Sequence, residues 1–474
     1  MEKTWEELKA AAWQELSQDK YLVYYDEQPI GTVAACDREK AALNYDQCFI
    51  RDFIPVGLLF LIKGNLTITR PQGEENKVDG QEIVRNFLKE TLRLHQQARS
   101  KTFTGLILMP ASFKVQSENG HQHLEGDFGD RAIARVTPVD SSLWWIILLR
   151  AYGKATGSNI LAYQEDFQEC IRLILELCFS DRFDREPTLL VPDGACMIDR
   201  RMGLYGHFLE IQALFFTALR ASLELLPDNQ ANQKIRKAVL DRLPALQDYI
   251  RHDYWLDMRR LNDVYRFKVE QYGTEALNKF NIYSDSIPYD WLTEWLKEGG
   301  GYFAGNIGPS QLDCRFFTLG NLVAVVSGLT TPEQSQKMMK LIDQQWKTLI
   351  GQMPMKICYP PLKGRDWELL TGHDPKNKQW SYHNSGNWPV LTWLLAAAAL
   401  KTGRQDLLER LELDMVKAGN ILLAESWPEY YDGEFGRLTG REARKFQTWT
   451  IAGFLLAQEL MDNLSCLELV SFDD

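Results

Sequence analysis

Two stretches of the sequence share one pattern, and this pattern decides the expected fold. The first is TPVDSSLWWIILLRAYGKATGSNILAYQEDF, residues 137–167, and the second is WPVLTWLLAAAALKTGRQDLLERLELDM, residues 388–415. Each contains Pro-Val, a Trp-bearing apolar helix, a Thr-Gly stop and an amphipathic helix. Gly157 and Gly403 stand where a glycine in the left-handed conformation ends a helix. A helix that is apolar on every side is buried all round, whereas an amphipathic helix keeps one face in water. The repeated unit is therefore predicted to be an inner helix followed by an outer helix.

Helical patterns also dominate the rest of the chain. Strand-like stretches are short, namely Tyr21–Tyr25, Gly105–Met109 and Leu189–Val191, and they do not alternate with helices, which argues against a parallel α/β sheet. Several helix pairs arranged in a ring would form an (α/α) barrel; an open solenoid is the alternative, but the irregular spacing of the units disfavours it. Further helices are predicted over 158–178, 207–226, 232–251, 316–328, 332–350, 390–401, 404–423 and 445–461.

Composition and charge exclude several classes of function. The chain has 53 Lys and Arg against 64 Asp and Glu, a net charge of −11. Such a charge argues against nucleic acid and against anionic membrane surfaces as partners. Unbroken apolar runs such as Leu143–Leu149 are far shorter than the ~20 residues that span a membrane. The N-terminus, MEKTWEELKA, lacks the apolar core of a secretory signal. We therefore expect a cytoplasmic protein.

Cysteine and histidine usage predicts neither disulfides nor a metal site. None of the eight cysteines forms a C-x-x-C pair, and their scattered spacing is typical of buried thiols in a reducing compartment. His121 and His123 are the only close histidine pair, and no cysteine stands near them.

The loops between the helices predict the chemistry. They are rich in Trp, Asp, Glu and Arg, although purely structural loops favour Ser, Asn and Gly. No G-x-x-x-x-G-K-[ST] or G-x-S-x-G motif occurs, and no G-x-G-x-x-G follows a strand. The candidate catalytic groups that are left are carboxylates close to aromatic residues and arginines, and glycoside hydrolysis uses a pair of carboxylates. The 14 Trp, 18 Tyr and 22 Phe fit a sugar pocket as well as a heavily aromatic core. The loops in question are 45–55, 126–140, 191–207, 380–390 and 426–449.

Specific stretches within these loops resemble the alkaline/neutral invertases, a glycoside hydrolase family of plants and cyanobacteria. The resemblance extends from about residue 31 to residue 453. It implies an all-α fold, an (α/α)6 barrel with long catalytic loops at one rim, formed as a single domain over 1–474 with a helical extension over about 1–30. It also implies hydrolysis of sucrose to glucose and fructose with inversion, without metal or cofactor, and is compatible with a homo-oligomer. The matching stretches are GTVAACD (31–37), NYDQCFIRDFIP (44–55), RVTPVDSSLWWIILLRAY (135–152), DGACMIDRRMGLYGH (193–207), EIQALFF (210–216), HNSGNWPVL (383–391), WPEYYDG (427–433) and ARKFQTWTIAGF (443–454).

The resemblance assigns the two catalytic roles by position. Asp199 matches the general acid and Glu429 the general base; Asp193 and Glu425 are their nearest rivals. Either carboxylate would otherwise cap backbone N–H groups or pair with arginine. Arg200 and Arg201 follow Asp199 directly, yet a cation lowers a carboxyl pKa and a general acid needs it raised. We therefore predict that both guanidinium groups point away from Asp199.

The remaining candidates bind substrate or support the site. Arg51 and Asp52 hold sugar hydroxyls or form a salt bridge at the rim, and Asp140 binds substrate or caps its helix. Glu210 is a supporting partner. The pocket is expected to be completed by Asp193, Arg200, His383, Asn384, Trp388, Tyr430, Arg444, Lys445 and Gln447, with Tyr431 as wall or core.

Two other functions stay open from the sequence. A hydrolase of the same barrel could act on another glucoside, such as trehalose, and pocket residues do not separate the two. A non-catalytic sugar-binding scaffold is the second, against which the retained carboxylates argue.

Overall fold

Helices account for most of the computed structural model, which describes residues 2–37, 44–101, 107–129, 137–191, 196–198, 200–266, 278–308, 311–439 and 443–472, without the Arg200 side chain. The helices are α1 Trp5–Leu16, α2 Ile50–Lys63, α3 Gly80–Arg99, α4 Val139–Thr156, α5 Glu165–Cys178, α6 Leu209–Leu225, α7 Gln233–Tyr249, α8 Met258–Arg266, α9 Tyr289–Leu296, α10 Thr318–Val326, α11 Pro332–Gln344, α12 Trp346–Leu349, α13 Gly364–Thr371, α14 Thr392–Lys401, α15 Gln405–Ala424 and α16 Thr448–Asp462.

The strands of the described residues are short, and each pairs antiparallel with its neighbouring strands. They form hairpins β1–β2, β4–β5 and β8–β9, a three-stranded sheet in the order β3-β6-β7 and a four-stranded sheet in the order β10-β11-β12-β13. Their bounds are β1 Leu22–Tyr25, β2 Gln28–Thr32, β3 Cys48–Phe49, β4 Asn65–Thr69, β5 Glu75–Asp79, β6 Ser112–Glu118, β7 His121–Asp127, β8 Asp184–Arg185, β9 Thr188–Leu189, β10 Trp255–Leu256, β11 Tyr302–Gly308, β12 Gln311–Phe317 and β13 Cys358–Tyr359.

Six inner helices pack side by side in a closed cycle. In order these are α2, α4, α6, α10, α14 and α16; each contacts the next, and α16 contacts α2. Their side chains are buried nearly all round, as in α4, where every residue from Val139 to Ala151 is buried. A helix without a wet face needs neighbours on all sides. The closed cycle supplies them, because it leaves no inner helix at an edge.

Outer helices cover this cycle. Helix α3 packs on α2 and α4, α7 packs on α6, and α15 packs on α14 and α16. The N-terminal helix α1 packs on α15 and α16 and so belongs to the same outer layer. Inner and outer helices alternate along the chain, which is the repeated unit that the sequence predicted.

The two sequence repeats form the predicted inner–outer pairs, α4–α5 and α14–α15. Gly157 has φ +65° and Gly403 has φ +67°, the left-handed conformation expected at a helix end. After the first, the Ser158 N–H donates to the Gly153 carbonyl at 3.0 Å; after the second, the Arg404 N–H donates to the Ala399 carbonyl at 2.9 Å. The stop signals are therefore confirmed.

The other element predictions are mostly confirmed, with errors among the strands and at one cap. Each predicted helical segment contains a helix, and Tyr21–Tyr25 contains β1. Residues 107–109 are not a strand, and 105–106 lie outside the described residues. Hairpins β6–β7 and β11–β12 were not predicted, because their alternation is interrupted by polar residues. The prediction that Asp140 caps its helix is wrong: Pro138 is the N-cap, and Asp140 lies inside the first turn, where Arg51 binds it.

The N-terminal ends of the inner helices open onto these short strands and loops. Strand β3 ends at Phe49 where α2 begins, and β12 ends at Phe317 where α10 begins.

Within the described part of the chain, no helix combines the length and apolar character needed to cross a bilayer.

Close packing between inner helices depends on Gly453 in α16. A Cβ at this position would lie 2.9 Å from the Cα and the carbonyl oxygen of Val390. Backbone cannot move aside as a side chain can, so the clash outweighs the better helix propensity of alanine. We expect Gly453→Ala to lower the free energy of unfolding by about 1–3 kcal/mol, measured by urea denaturation.

Gly57 in α2 is the matched control. Its added Cβ would meet only side-chain ends, with Leu148 Cδ1 at 3.2 Å. Gly57→Ala should therefore cost clearly less than Gly453→Ala. Equal effects of the two substitutions would contradict the packing argument.

Candidate active site

Glu429 lies in a buried loop between α15 and α16. Its backbone N–H donates to the Arg444 carbonyl at 2.7 Å, and Tyr431 exchanges two backbone hydrogen bonds with Asn387 at 2.8 and 2.9 Å. The Glu429 residue is only 4% exposed. The Tyr45 hydroxyl lies 3.0 Å from Oε1 and 3.1 Å from Oε2 of the carboxylate, to which it donates. The carboxylate is thus held in one place by three segments distant in sequence.

The charge of Glu429 is balanced between burial and nearby cations. Burial raises the pKa of its carboxyl, and the Lys376 ammonium is the strongest opposing influence. The Tyr45 hydrogen bond and the guanidinium groups of Arg444 and Arg201 also lower this pKa. The net effect is a raised pKa, and a poorly hydrated carboxylate of this kind is suited to accept a proton from water.

The rival Glu425 has different surroundings. It follows the last residue of α15 and lies near the Tyr431 hydroxyl, whose pKa is raised by burial and by this carboxylate. Glu429, in contrast, is hydrogen-bonded to Tyr45 and lies in the field of Lys376. The geometry therefore favours Glu429 of the two as a base.

A second group of carboxylates surrounds Arg51 at the start of three inner helices. Arg51 and Asp52 lie in the first turn of α2, Asp140 in that of α4 and Glu210 in that of α6. Arg51 Nη1 donates to Asp140 Oδ2 at 2.9 Å, while its Nε lies 3.8 Å from Asp52 Oδ1. The sequence alternative of a salt bridge for Arg51 is thus present, and Asp52 also lies within the electrostatic influence of Glu429.

Burial makes these carboxyls weaker acids than they are in water. It raises the pKa of Asp52 to about 7 against the effect of Arg51, and the charges of Glu429 and Asp140 contribute further. Burial also raises the pKa of Asp140, which Arg51 again opposes. Several acids that share one poorly hydrated region cannot all ionise easily. The rim therefore carries carboxyls able to donate as well as accept protons near neutral pH.

Glu210 holds the segment that leads to Asp199. Its Oε1 accepts the Met197 N–H at 2.7 Å. Burial raises the pKa of Glu210 to about 7, and the N–H groups of Met197 and Ile198 oppose this rise. The supporting role expected for Glu210 is thus visible in its contacts. Asp193 and Asp199 themselves lie outside the described residues, as does the Arg200 side chain.

Arg201 lies beside the pocket wall. Its Cζ lies 5.2 Å from the Tyr382 ring centroid, and its charge lowers the pKa of Glu429. Whether Arg200 and Arg201 point away from Asp199 stays a prediction.

An aromatic cluster lines the side of the site next to Glu429. Tyr382 stacks on His383 at 3.9 Å between centroids, and Trp388 stacks on Tyr430 at 5.5 Å. Lys376 Nζ lies 3.7 Å from the Tyr382 ring centroid. Trp388 is 1% exposed, and its indole N–H donates to the Tyr382 carbonyl at 3.1 Å. Trp388 therefore supports the wall, and Tyr382 is nearer its surface.

Asn384 is occupied by the backbone. Its Nδ2 donates to the carbonyls of Leu362 and Asn377 at 2.9 and 3.1 Å, and its Oδ1 accepts the Leu362 N–H at 2.6 Å. These contacts stabilise the loop. Because both amide atoms of Asn384 already bind backbone groups, this side chain supports the pocket wall rather than a sugar.

The segment from Arg444 to Gln447 closes the site from the α16 side. Arg444 Cζ lies 5.4 Å from the Tyr45 ring centroid, and the Lys445 N–H donates to Asp37 at 3.3 Å. Gln447 precedes α16 and is fully buried, yet neither amide atom has a hydrogen-bond partner among the described residues. A buried amide in this state is suited to bind a ligand or water.

Three residues near Glu429 were missed by sequence reasoning. Tyr45 stands in the quoted stretch NYDQCFIRDFIP and Tyr382 in the loop 380–390, so signals for both existed, whereas Lys376 stands in no pattern that points to chemistry. Among the described residues, no group of His, Cys, Asp and Glu is arranged to hold a metal ion, and His121 and His123 lie in β7 of an exposed hairpin.

Comparison with known proteins gives first the fold and then the family of this chain. The fold is similar to that of a mannosylglycerate hydrolase from Thermus thermophilus, with a TM-score of 0.54 at 10% identity over 95% of this chain and 99% of that chain. At this identity the similarity shows the fold alone. The sequence profile described as alkaline and neutral invertase matches residues 12–464. The chain belongs to that family, which confirms the resemblance seen in its motifs.

Named relatives agree with the profile. "Cytosolic invertase 1" of Oryza sativa subsp. japonica is 49% identical over 468 residues, which cover 98% of this chain and 80% of the relative. "Neutral/alkaline invertase 1, mitochondrial" of the same organism is 48% identical over 473 residues, covering 97% and 71%.

The hydrogen bond from Met197 to Glu210 gives a test of how the segment 196–198 is held. Glu210→Ala leaves a buried N–H without a partner, so we expect the free energy of unfolding to fall by about 1–3 kcal/mol. Glu210→Gln keeps an acceptor oxygen and is the control. Urea denaturation measures both variants, and a loss in the Gln variant as large as in the Ala variant would refute the proposed anchoring.

Proposed function

We propose that this enzyme hydrolyses sucrose to glucose and fructose by a single displacement with inversion. The six inner helices and the outer helices that cover them act as an (α/α)6 barrel, and residues 1–474 form one catalytic domain. The observation that carries the proposal is the position of Glu429, a buried carboxylate that accepts a hydrogen bond from Tyr45 and lies in the field of Lys376, Arg444 and Arg201. Membership of the invertase family supports sucrose as the substrate.

The roles follow from the chemistry of glycoside hydrolysis. Glu429 takes a proton from water, the water oxygen attacks C1 of the glucosyl unit, and the bond from C1 to the bridging oxygen breaks. Asp199 protonates that oxygen, which leaves with fructose. Asp199 follows the segment that Glu210 anchors, which supports its place at the same rim. Inversion requires the two carboxyl groups about 6.5–9.5 Å apart, so that a water molecule fits between them.

The remaining residues bind the substrate. Asp52 lies within the electrostatic influence of Glu429, and Asp52 and Arg51 are suited to hold sugar hydroxyls. Tyr382 adds an aromatic ring to the pocket wall. Gln447 has amide groups still to be satisfied. We assign sugar contacts also to Asp140, Asp193, Arg200, His383, Tyr430, Arg444 and Lys445, while Asn384 and Trp388 support the pocket wall.

The proposals on oligomeric state and cellular compartment rest on the family rather than on the geometry of the active site. We propose a homo-oligomer, which light scattering of the purified chain tests. We also propose a cytoplasmic enzyme without cofactor. One relative is named cytosolic and another mitochondrial, so fractionation of the source cells is the direct test.

The catalytic assignment predicts a large loss of kcat in two variants and no loss of kcat in a third. Glu429→Gln and Asp199→Asn should each lower kcat by about 10²–10⁴-fold, because proton transfer is lost. Glu425→Gln, the rival carboxylate, should keep wild-type kcat. Thermal unfolding of each variant checks that the fold is intact. A folded Asp199→Asn variant with full turnover would remove Asp199 from the mechanism.

The wild-type reaction tests the substrate and the bond that breaks. In ¹⁸O water the label should appear in glucose, and NMR should show β-glucose as the first anomer. Label in fructose would refute attack at the glucosyl carbon. Parallel assays with trehalose separate the alternative substrate, and turnover of neither sugar would favour a binding scaffold.

The Tyr45 hydrogen bond predicts a change in the pH profile. Because this hydrogen bond lowers the pKa of Glu429, Tyr45→Phe should raise that pKa further. The base works when deprotonated, so the acidic limb of kcat/KM should move to higher pH.

Tyr24→Phe provides the control. The Tyr24 hydroxyl binds Asp19 at 2.7 Å, and neither residue is among the groups that contact the Glu429 carboxylate. Its pH profile should match wild type. An unmoved acidic limb in Tyr45→Phe would show that Glu429 is not the base that sets it.

A further inference from the structure

A second cavity lies beside the loop that carries Glu429. Its volume is about 510 Å³, within the range of small-molecule sites. The segments that form its floor are joined by backbone bridges of Lys356 to Asn387 and of Asn387 to Tyr431. The residues that follow or precede these, Trp388 and Tyr430, belong to the aromatic cluster of the active site. The cavity is therefore distinct from the active site but shares a wall with it.

The lining of this cavity is cationic, although the whole chain has a charge of −11. The only carboxylate among the described lining residues is Glu434. Asp432 lies close by, but its carboxylate accepts the backbone N–H groups of Glu434, Phe435 and Arg437. The four lining cations are Lys347, Lys356, Arg410 and Arg437. A local excess of positive charge in a concave site attracts anions.

Lys356 is the most unusual of these cations, because it is only 5% exposed. No ion pair or side-chain hydrogen bond of its ammonium group occurs among the described residues; the nearest assigned contact is the Trp380 ring, whose centroid lies 5.6 Å away. Burial lowers the pKa of Lys356 to about 8, against the effect of Asp432, so the group stays mostly charged at neutral pH. A buried charge without a counter-ion is costly.

Asn387 contributes a buried hydrogen-bond acceptor that needs a donor. It is 2% exposed, and its Nδ2 donates to the Asp432 carbonyl at 3.0 Å. Its Oδ1 is buried without a hydrogen-bond donor among the described residues. The cavity thus combines a cation that lacks an anion with an acceptor that lacks a donor. Phe435 and Trp346 supply apolar lining beside them.

We propose that this cavity binds a phosphorylated sugar, with the phosphate on Lys356 and a sugar hydroxyl donating to Asn387. One ligand of this class satisfies both buried groups. The exposed cations Arg437 and Lys347 lie at the same cavity and add attraction for the phosphate. Arg410 contributes less, because it is paired with Asp343 at 3.0 Å. Binding does not depend on the catalytic roles proposed above.

Isothermal titration calorimetry of the full chain with glucose 6-phosphate tests this site. We expect saturable binding of one molecule per chain, and an affinity about 10-fold lower in Lys356→Met because a charge-assisted hydrogen bond is lost. Lys417→Met, an exposed lysine paired with Asp414, is the control and should bind as wild type does. If Lys356→Met does not fold, Arg437→Gln at the exposed side of the cavity should still weaken binding.

The outcomes decide the proposal in either direction. Titrations with inorganic phosphate and with glucose separate the two halves of the ligand, and both should bind more weakly than glucose 6-phosphate. No binding of glucose 6-phosphate would overturn the site. Equal binding by wild type and Lys356→Met would also overturn it, because the ligand would then occupy another place, such as the active site. Equal affinity for phosphate and glucose 6-phosphate would overturn the sugar contact at Asn387.

Discussion

Contact between the last inner helix and the first is the constraint on which the other features of this molecule depend. The inner helices carry apolar side chains on every side, so an open row would leave two of them with an uncovered face. Packing α16 on α2 removes both edges. Because outer helices alternate with them along the chain, the inner helices run in one direction and begin at one rim. The segments that precede them meet there, which brings residues from 45 to 447 into one site.

Burial at this rim explains its acid–base chemistry. Arg51 is the cation around which Asp52, Asp140 and Glu210 gather, and one guanidinium group cannot fully stabilise three carboxylates. Burial therefore raises the pKa values of these carboxyls, to about 7 for Asp52 and Glu210. Groups of this kind are costly to a fold and are typical of functional sites. Burial also raises the pKa of Glu429, and Tyr45 together with several cations opposes this rise.

Much of the fold was predictable because helix periodicity and stop signals are local. The repeats at 137–167 and 388–415 specify inner and outer helices, and Gly157 and Gly403 mark their ends. The short strands were less predictable, because pairing partners such as β3 and β6 are separated by more than sixty residues and their sequences alternate only weakly. For the site, motifs identified Glu429 and the Arg51–Asp52 pair. They did not identify Lys376, whose role depends only on where its loop folds back.

The amino-acid order alone thus specified the helices, their two burial classes and the family to which the chain belongs, because these depend on neighbouring residues and short motifs. The folded chain decided the charge state of the rim and the bracing roles of Asn384 and Trp388. It also decided which of two nearby glutamates meets Tyr45. These properties depend on burial and on distances between residues far apart in the chain, which no local pattern encodes.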